Sequence, residues 1–100
     1  MPFTINATTA KQPLFPLGQL LATPGVLAHC DRNGILILPY VLRHQCGDWG
    51  EVGAEDWQAN DTALRHGGRL LSTYTVASEK IWIISEADRS STTALFPSEY

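Results

Sequence analysis

The sequence predicts an α+β domain in which short helices come first and a three-stranded antiparallel meander comes last. Two observations lead to this prediction. Before Gly68, helix caps and apolar residues recur at helical spacing, whereas after it apolar and polar residues alternate. The length of 100 residues allows one core, so we expect a polar N-terminal arm over residues 1–13 and a single domain over residues 14–100.

The first two helices are predicted from their ends. Thr23-Pro24 begins the first, because Thr caps exposed amides and Pro fits the first helical position. Asn33-Gly34 supplies a left-handed end. The second helix begins near Pro39 and runs to about Gln45. Two segments stay open between strand and helix: residues 35–38, and residues 14–22, which form a fourth strand of the sheet if they are extended.

The third helix is predicted from charges at its two ends. Glu55 and Asp56 lie in the first turn, and Arg65 and His66 in the last, as the helix dipole favours. Gly67-Gly68 then ends the helix.

The meander follows from alternation after Gly68. Residues 70–76 alternate, residues 81–84 are apolar on both faces, and residues 92–96 return after a turn at 86–90. Trp82 and Ile84 therefore point away from Ile81 and Ile83. Because helices cover one face of a small sheet, the face with Trp82 and Ile84 needs another cover. The N-terminal arm, residues 14–22 or a second subunit would serve, and we expect a homodimer with Trp82 and Ile84 at its interface.

Composition limits the classes of function. The net charge of −3 argues against a protein that mainly grips nucleic acid, without excluding a local basic patch. Two cysteines are too few for a disulfide scaffold, and the N-terminus lacks a basic start followed by an apolar stretch. We therefore expect a cytoplasmic protein without a membrane span. We also expect no cofactor.

Three blocks of the sequence carry a resemblance to a known family. They read LGQLLATPG at 17–25, RHQCGDWGEV at 43–52 and KIWIISEADRSSTT at 80–93, with Asn60-Asp61 and residues 69–74 between them. The chain resembles a family of bacterial proteins of about 100 residues that are found on plasmids and integrative elements and are labelled plasmid-related. The resemblance covers about residues 15–100. It implies a bacterial mobile-element origin and no particular reaction.

Two turns supply the candidate binding residues. Asp48 and Trp49 form an acidic and aromatic pair in a Gly-flanked turn, which is suited either to anchoring a partner or to plugging the core. Glu86, Asp88 and Arg89 give the last hairpin more charge than a turn needs. An Arg beside hydroxyl groups binds phosphate or a partner carboxylate, or else pairs locally with an acid.

No group of residues predicts a catalytic or metal site. His44, Cys46 and Asp48 lie too close together in the chain for a triad, which a fold normally assembles from distant segments. Adjacent His29 and Cys30 project in different directions and do not chelate together.

The leading hypothesis is thus a small accessory protein of a mobile element, a non-enzymatic protein-binding module. A toxin-like ribonuclease is the alternative. A further alternative is an acidic inhibitor of a DNA-binding defence protein. The ribonuclease would use Arg69, Arg89, His66 and Lys80; the inhibitor would use Asp48, Glu51, Glu55, Asp56 and Asp61.

Overall fold

A computed structural model describes residues 12–100 of the chain, and most of the predicted arm lies outside that range. Three helices and a four-stranded sheet confirm the α+β class. In chain order the elements are β1 (Gln19–Ala22), α1 (Pro24–Arg32), α2 (Leu38–Gln45), α3 (Ala54–His66), β2 (Leu70–Val76), β3 (Glu79–Ser85), β4 (Ser91–Leu95) and a final 3-10 turn (Pro97–Glu99).

The sheet has the strand order β1-β4-β3-β2 and is mixed. The predicted meander is confirmed, since β3 pairs antiparallel with both β2 and β4. Only Gln19–Ala22 of the open segment 14–22 is a strand, and it runs parallel to β4, with Gln19 opposite Ser91 and Ala22 opposite Ala94. The sheet therefore differs from a purely antiparallel one at this strand. A parallel partner so far along the chain leaves no local sequence signal.

The helix ends follow the predicted caps. The Thr23 side chain accepts a hydrogen bond from the Val26 amide (3.2 Å), and Gly34 takes the left-handed conformation with φ +62°. The segment 35–38 is not a strand: residues 35–37 are irregular, and α2 begins at Leu38. Gly67, just after α3, also has a positive φ of +86°.

The two faces of the sheet differ in what covers them. Val26 and Cys30 of α1 and Val41 of α2 pack on one face, here called the helix face. The residues of β2 to β4 on this face are Leu70, Ser72, Tyr74, Val76, Glu79, Ile81, Ile83, Ser85, Thr92 and Ala94. The opposite face is here called the Trp82 face. The residues of β2 to β4 on it are Leu71, Thr73, Thr75, Lys80, Trp82, Ile84, Ser91, Thr93 and Leu95, and Gln19 and Leu21 of β1 lie on it as well.

The outer edge of β2 is closed by two segments that precede it in the chain. Asn60 of α3 donates to the Leu71 carbonyl (2.7 Å) and accepts from the Leu71 amide (3.0 Å). Two residues along the strand, the Thr73 amide donates to the Trp49 carbonyl. The Thr73 carbonyl accepts from the Glu51 amide. The outward backbone groups of Leu71 and Thr73 are thus satisfied, as buried amides require.

The same closure explains a glycine and continues to the end of the strand. Gly50 has φ +72°, and a Cβ placed on it would lie 2.1 Å from the Thr73 carbonyl oxygen, so only glycine allows this approach. The Glu51 carboxylate accepts hydrogen bonds from the Thr75 amide and hydroxyl, each 2.9 Å long. It also lies 3.5 Å from Lys80 Nζ. These contacts, those with Thr75 first, lower the pKa of Glu51.

Candidate functional site

The Trp82 face contains an apolar pocket of about 250 Å³. It forms because the C-terminal Tyr100 returns over β3, with its ring 5.7 Å from the Trp82 ring in an edge-to-face arrangement. Trp82 is half-buried and Ile84 is buried. The pocket is lined by Arg69, Leu70, Leu71, Trp82, Ile84 and Tyr100.

A charged rim borders this pocket. The Arg69 guanidinium lies over the Tyr100 ring, 5.4 Å from its centre, and donates a hydrogen bond to the Tyr100 hydroxyl. Arg69 Nε is also 3.5 Å from a Glu86 carboxylate oxygen. The hydrogen bond to Tyr100, with the nearby Glu86 charge, raises the pKa of Arg69. The fold therefore brings Trp82, Ile84 and Glu86, three residues singled out in the sequence, to one place.

The C-terminal turn that carries Tyr100 is held by its neighbour. The Glu99 carboxylate accepts hydrogen bonds from the Thr23 hydroxyl (2.8 Å) and from the Phe96 amide (2.7 Å). Phe96 itself packs edge-to-face on His29, with 5.6 Å between ring centres. The Tyr100 wall of the pocket is thus attached to the start of α1 and to the core.

The volume of the pocket limits what it can take. Small-molecule sites usually enclose roughly 300–1,000 Å³, so this pocket lies below that range. One large apolar side chain of a protein is a better match, because interfaces are commonly anchored by a single side chain in a desolvated pocket. The Arg69 and Glu86 rim offers hydrogen-bonding groups to the backbone beside such a side chain.

Asp48 and Trp49 take positions inside the fold. Trp49 is fully buried, and its indole N–H donates to an Asp61 carboxylate oxygen at 3.0 Å. Asp48 accepts from the Gly50 amide (3.1 Å) and from Arg43 Nε (2.8 Å). The structure therefore places Trp49 as the core plug that the sequence offered as one of two interpretations, and it leaves no indole surface for a partner.

The last hairpin is similarly occupied by internal contacts. Arg89 donates to the carbonyl oxygens of Gly68 (2.6 Å), Glu86 (3.0 Å) and Ala63 (3.1 Å). Its guanidinium thus ties the hairpin to the C-terminal end of α3. The Asp88 carboxylate accepts from the Ser90 amide at 2.9 Å, and hydrogen bonding to Ser90 lowers the pKa of Asp88. Asp88 remains an exposed acid at the hairpin tip.

A chain of buried polar side chains crosses the helix face, and no pattern in the sequence indicates it. His44 Nδ1 lies 2.6 Å from the Ser72 hydroxyl, and Nε2 lies 2.9 Å from the Ser85 hydroxyl. The Ser85 hydroxyl is 2.6 Å from that of Thr92, which donates to the Leu17 carbonyl at 2.8 Å. This set is here called the His44 chain.

The hydrogen bond from Thr92 to Leu17 fixes which groups donate in the rest of the His44 chain. Because Thr92 donates to Leu17, it must accept from Ser85, and Ser85 must then accept from His44 Nε2. Nε2 therefore carries a proton; because the pKa of His44 lies well below 7, the imidazole is neutral near pH 7 and its Nδ1 accepts from the Ser72 hydroxyl. Burial, with the Arg89 charge nearby, lowers the pKa of His44 to about 4. These fully enclosed groups hold the sheet together and offer no surface to a substrate.

Cys30 and His29, the adjacent pair considered for metal binding, both lie in the interior of the fold. Cys30 packs in the core, and burial raises the pKa of its thiol. His29, adjacent to it, is also buried, and its Nε2 lies 2.7 Å from the Val76 carbonyl oxygen. Among residues 12–100, no three His, Cys, Asp or Glu side chains lie together in a way that could hold a metal ion.

The residues expected for the ribonuclease and for the acidic inhibitor make contacts in different parts of the structure. Lys80 lines a separate cleft of about 590 Å³ that also contains Arg32 and Glu79, whereas Arg69 lines the Trp82 pocket. Arg89 is occupied by carbonyl groups, and His66 lies exposed in the last turn of α3. Of the five acids, three have internal partners within the described residues, namely Asp48, Glu51 and Asp61.

Comparison of the chain with protein-family models, curated proteins and solved structures finds no match in any of the three. Across residues 12–100, no helix combines the length and the apolar character that crossing a membrane requires.

Proposed function

We propose that this chain is a non-enzymatic protein-binding module, and that it holds an apolar side chain of its partner in the pocket between Trp82 and Tyr100. The observation that supports this proposal is the pocket itself: an apolar space with aromatic walls and a charged rim, on the sheet face that the helices leave uncovered. Aromatic residues in such positions contribute most of the binding free energy at protein interfaces.

The resemblance to plasmid-related proteins gives this module a setting. In that setting it is a cytoplasmic accessory protein of a bacterial mobile element, and its partner is another protein. A second copy of this chain, as the sequence suggested for Trp82 and Ile84, is the competing occupant of the same pocket.

Nuclear magnetic resonance of the three tryptophan indole N–H groups tests the pocket directly. The probes are N-acetyl-leucine amide and N-acetyl-phenylalanine amide, which present one apolar side chain between two peptide groups. We expect the Trp82 signal to shift in a saturable way. Trp57, which is 37% exposed on α3, and the buried Trp49 are internal controls and should not move.

A variant series relates the pocket to binding of a longer partner. Peptides selected from a random displayed library on the wild-type protein should carry an apolar anchor. Tyr100→Ala removes one wall of the pocket at an exposed residue and should weaken their binding tenfold or more, the usual scale for loss of an anchor contact. Leu36→Ala, at a residue 76% exposed outside the pocket lining, is the matched control. Equal effects of the two substitutions, or unselective shifts of all three indoles, would contradict the proposal.

A further inference from the structure

The outer edge of β1 has unpaired backbone groups. The amides of Gln19 and Thr23 donate to the carbonyls of Ser90 and Ala94, each at 3.0 Å. In a strand the direction of these groups alternates, so the amide and carbonyl of Leu20 point away from β4. Those of Ala22 do the same. Within residues 12–100, no backbone group pairs with them.

Apart from its short length of four residues, this strand lacks the features that natural proteins use to protect a sheet edge. Gln19–Ala22 contains no charge, no proline and no bulge. Leu20 is 44% exposed and Leu21 41% exposed, on opposite faces of the sheet. An uncharged edge with apolar side chains on both faces readily pairs with another strand.

We propose that two copies of this chain pair through β1, antiparallel, to make a continuous eight-stranded sheet. The register follows from the outward groups. If Leu20 of each copy lies opposite Ala22 of the other, all outward groups of the strand are used and four backbone hydrogen bonds form. The two-fold axis then passes beside Leu21, and the two Leu21 side chains meet on the Trp82 face.

Neighbouring residues exclude the other symmetric register near the strand's start. Pairing Leu20 with its own copy would place Gly18 opposite Ala22, yet Gly18 has φ +65° and is not extended. At the other end, Thr23 already caps α1. The strand is therefore limited to four residues, and both of its outward residues are used in the register that pairs Leu20 with Ala22.

Charge and symmetry select a second copy over an unrelated extended peptide. The strand contains only uncharged residues, so two copies bring no like charges into opposition within it. Each copy also supplies the same two donors and two acceptors, and a two-fold axis matches them without further adjustment. The exposed leucines on both faces are then covered by their symmetry mates.

Cysteine cross-linking tests the register. In a non-hydrogen-bonded antiparallel pair the Cα atoms are about 4.5 Å apart, within the roughly 4.4–6.8 Å that a disulfide spans. In a Cys46→Ser background, Leu21→Cys should therefore form a disulfide-linked dimer under mild oxidation. Leu20→Cys is the matched control, because the residue is equally exposed but its copy lies diagonally about 7–8 Å away. Equal cross-linking of the two variants would overturn the register.

Proline substitution tests the use of the edge. Leu20→Pro removes only an outward N–H, and proline is tolerated on edge strands in that orientation. Analytical ultracentrifugation over a concentration series should show a dimer for wild type and for Leu20→Ala, and a monomer for Leu20→Pro with an unchanged thermal midpoint. A monomeric wild-type protein at high micromolar concentration would overturn the proposal.

The two proposals fail separately in these experiments. Tyr100→Ala should leave the dimer intact, since Tyr100 packs on β3 and not on β1. Leu20→Pro should leave peptide binding at the Trp82 pocket intact. A dimer that dissociates in Tyr100→Ala and persists in Leu20→Pro would instead identify the Trp82 face as the contact between copies.

Discussion

Strands β1 and β2 form the two edges of the same sheet, yet their outward backbone groups have different environments. Along β2, Asn60 pairs with Leu71, and residues 49–51 pair with Thr73. Along β1, the outward groups of Leu20 and Ala22 have no partner among residues 12–100. The difference teaches that closing a sheet edge requires particular residues. At β2 they are one asparagine side chain, one glycine and one acidic residue. Where none are committed, the edge is available for pairing.

Removing Trp49 should have the largest effect on this comparison. Its backbone closes β2 and its side chain is fully buried, so Trp49→Ala leaves a cavity and frees residues 49–51 from the edge. We expect a loss of about 4 kcal/mol in the free energy of unfolding, measured by urea denaturation. Trp57→Ala is the matched control, because Trp57 is 37% exposed. If Trp49→Ala lowered the free energy of unfolding no more than Trp57→Ala, the buried Trp49 side chain would not be needed to hold residues 49–51 at the edge.

Acid should destabilise the fold through the polar chain that connects the two edges. The His44 chain runs from Ser72 on β2 to the Leu17 carbonyl just before β1. Its histidine has a pKa of about 4 when folded and an ordinary value of 6.5, so between these pH values only the unfolded chain takes up the proton. The free energy of unfolding therefore falls as the pH falls from 6.5 to 4, by up to about 3 kcal/mol.

The control for the acid effect is His44→Gln, which retains hydrogen bonding without titrating. Urea midpoints measured from pH 7 to pH 4 should fall less steeply for this variant than for wild type. The slopes are compared, so a lower absolute stability of the variant does not matter. Parallel slopes would show that another group is responsible for the loss.

Asn60→Ala should have the smallest of the three effects and should make the β2 edge resemble the β1 edge. The substitution leaves the amide and carbonyl of Leu71 without their partner in a partly buried place, at an expected cost of about 2 kcal/mol. Gln58→Ala, on the exposed side of α3, should change stability by less than about 0.5 kcal/mol. Hydrogen exchange at the Leu71 amide should rise in the first variant alone. Unchanged protection there would mean that the edge has a second cover.

The extent to which the sequence predicts this fold depends on how local each feature is. Helix α1 and the meander were predictable because a cap such as Thr23, or the alternation after Gly68, acts within a few residues. The parallel pairing of β1 was not, because its partner β4 lies near the other end of the chain. Asn60 likewise looks like an ordinary polar residue of a helix until β2 is placed beside it.

The candidate site was predictable in part for the same reason. Apolar residues on both faces of β3 indicated that the sheet face with Trp82 and Ile84 must be covered by another part of the protein or by a partner. Nothing local indicated that Tyr100 would supply the wall of a pocket there, or that Arg69 would bridge Tyr100 and Glu86. Arg89 shows the opposite case: an Arg at a hairpin tip suggested a ligand, whereas distant carbonyl groups occupy it.

The parallel pairing of β1 with β4 has a consequence for the order of folding. All three helices and the β2–β3 hairpin lie between the two strands in the chain, so their contact is among the most distant in sequence. Contacts of this kind are slow to form, because a long loop must close before they contribute stability. During synthesis, β1 is made before all three helices and the β2–β3 hairpin, and it has no partner strand until Ser91–Leu95 has followed them. A chain that stops before Ser91 has no partner for its first strand.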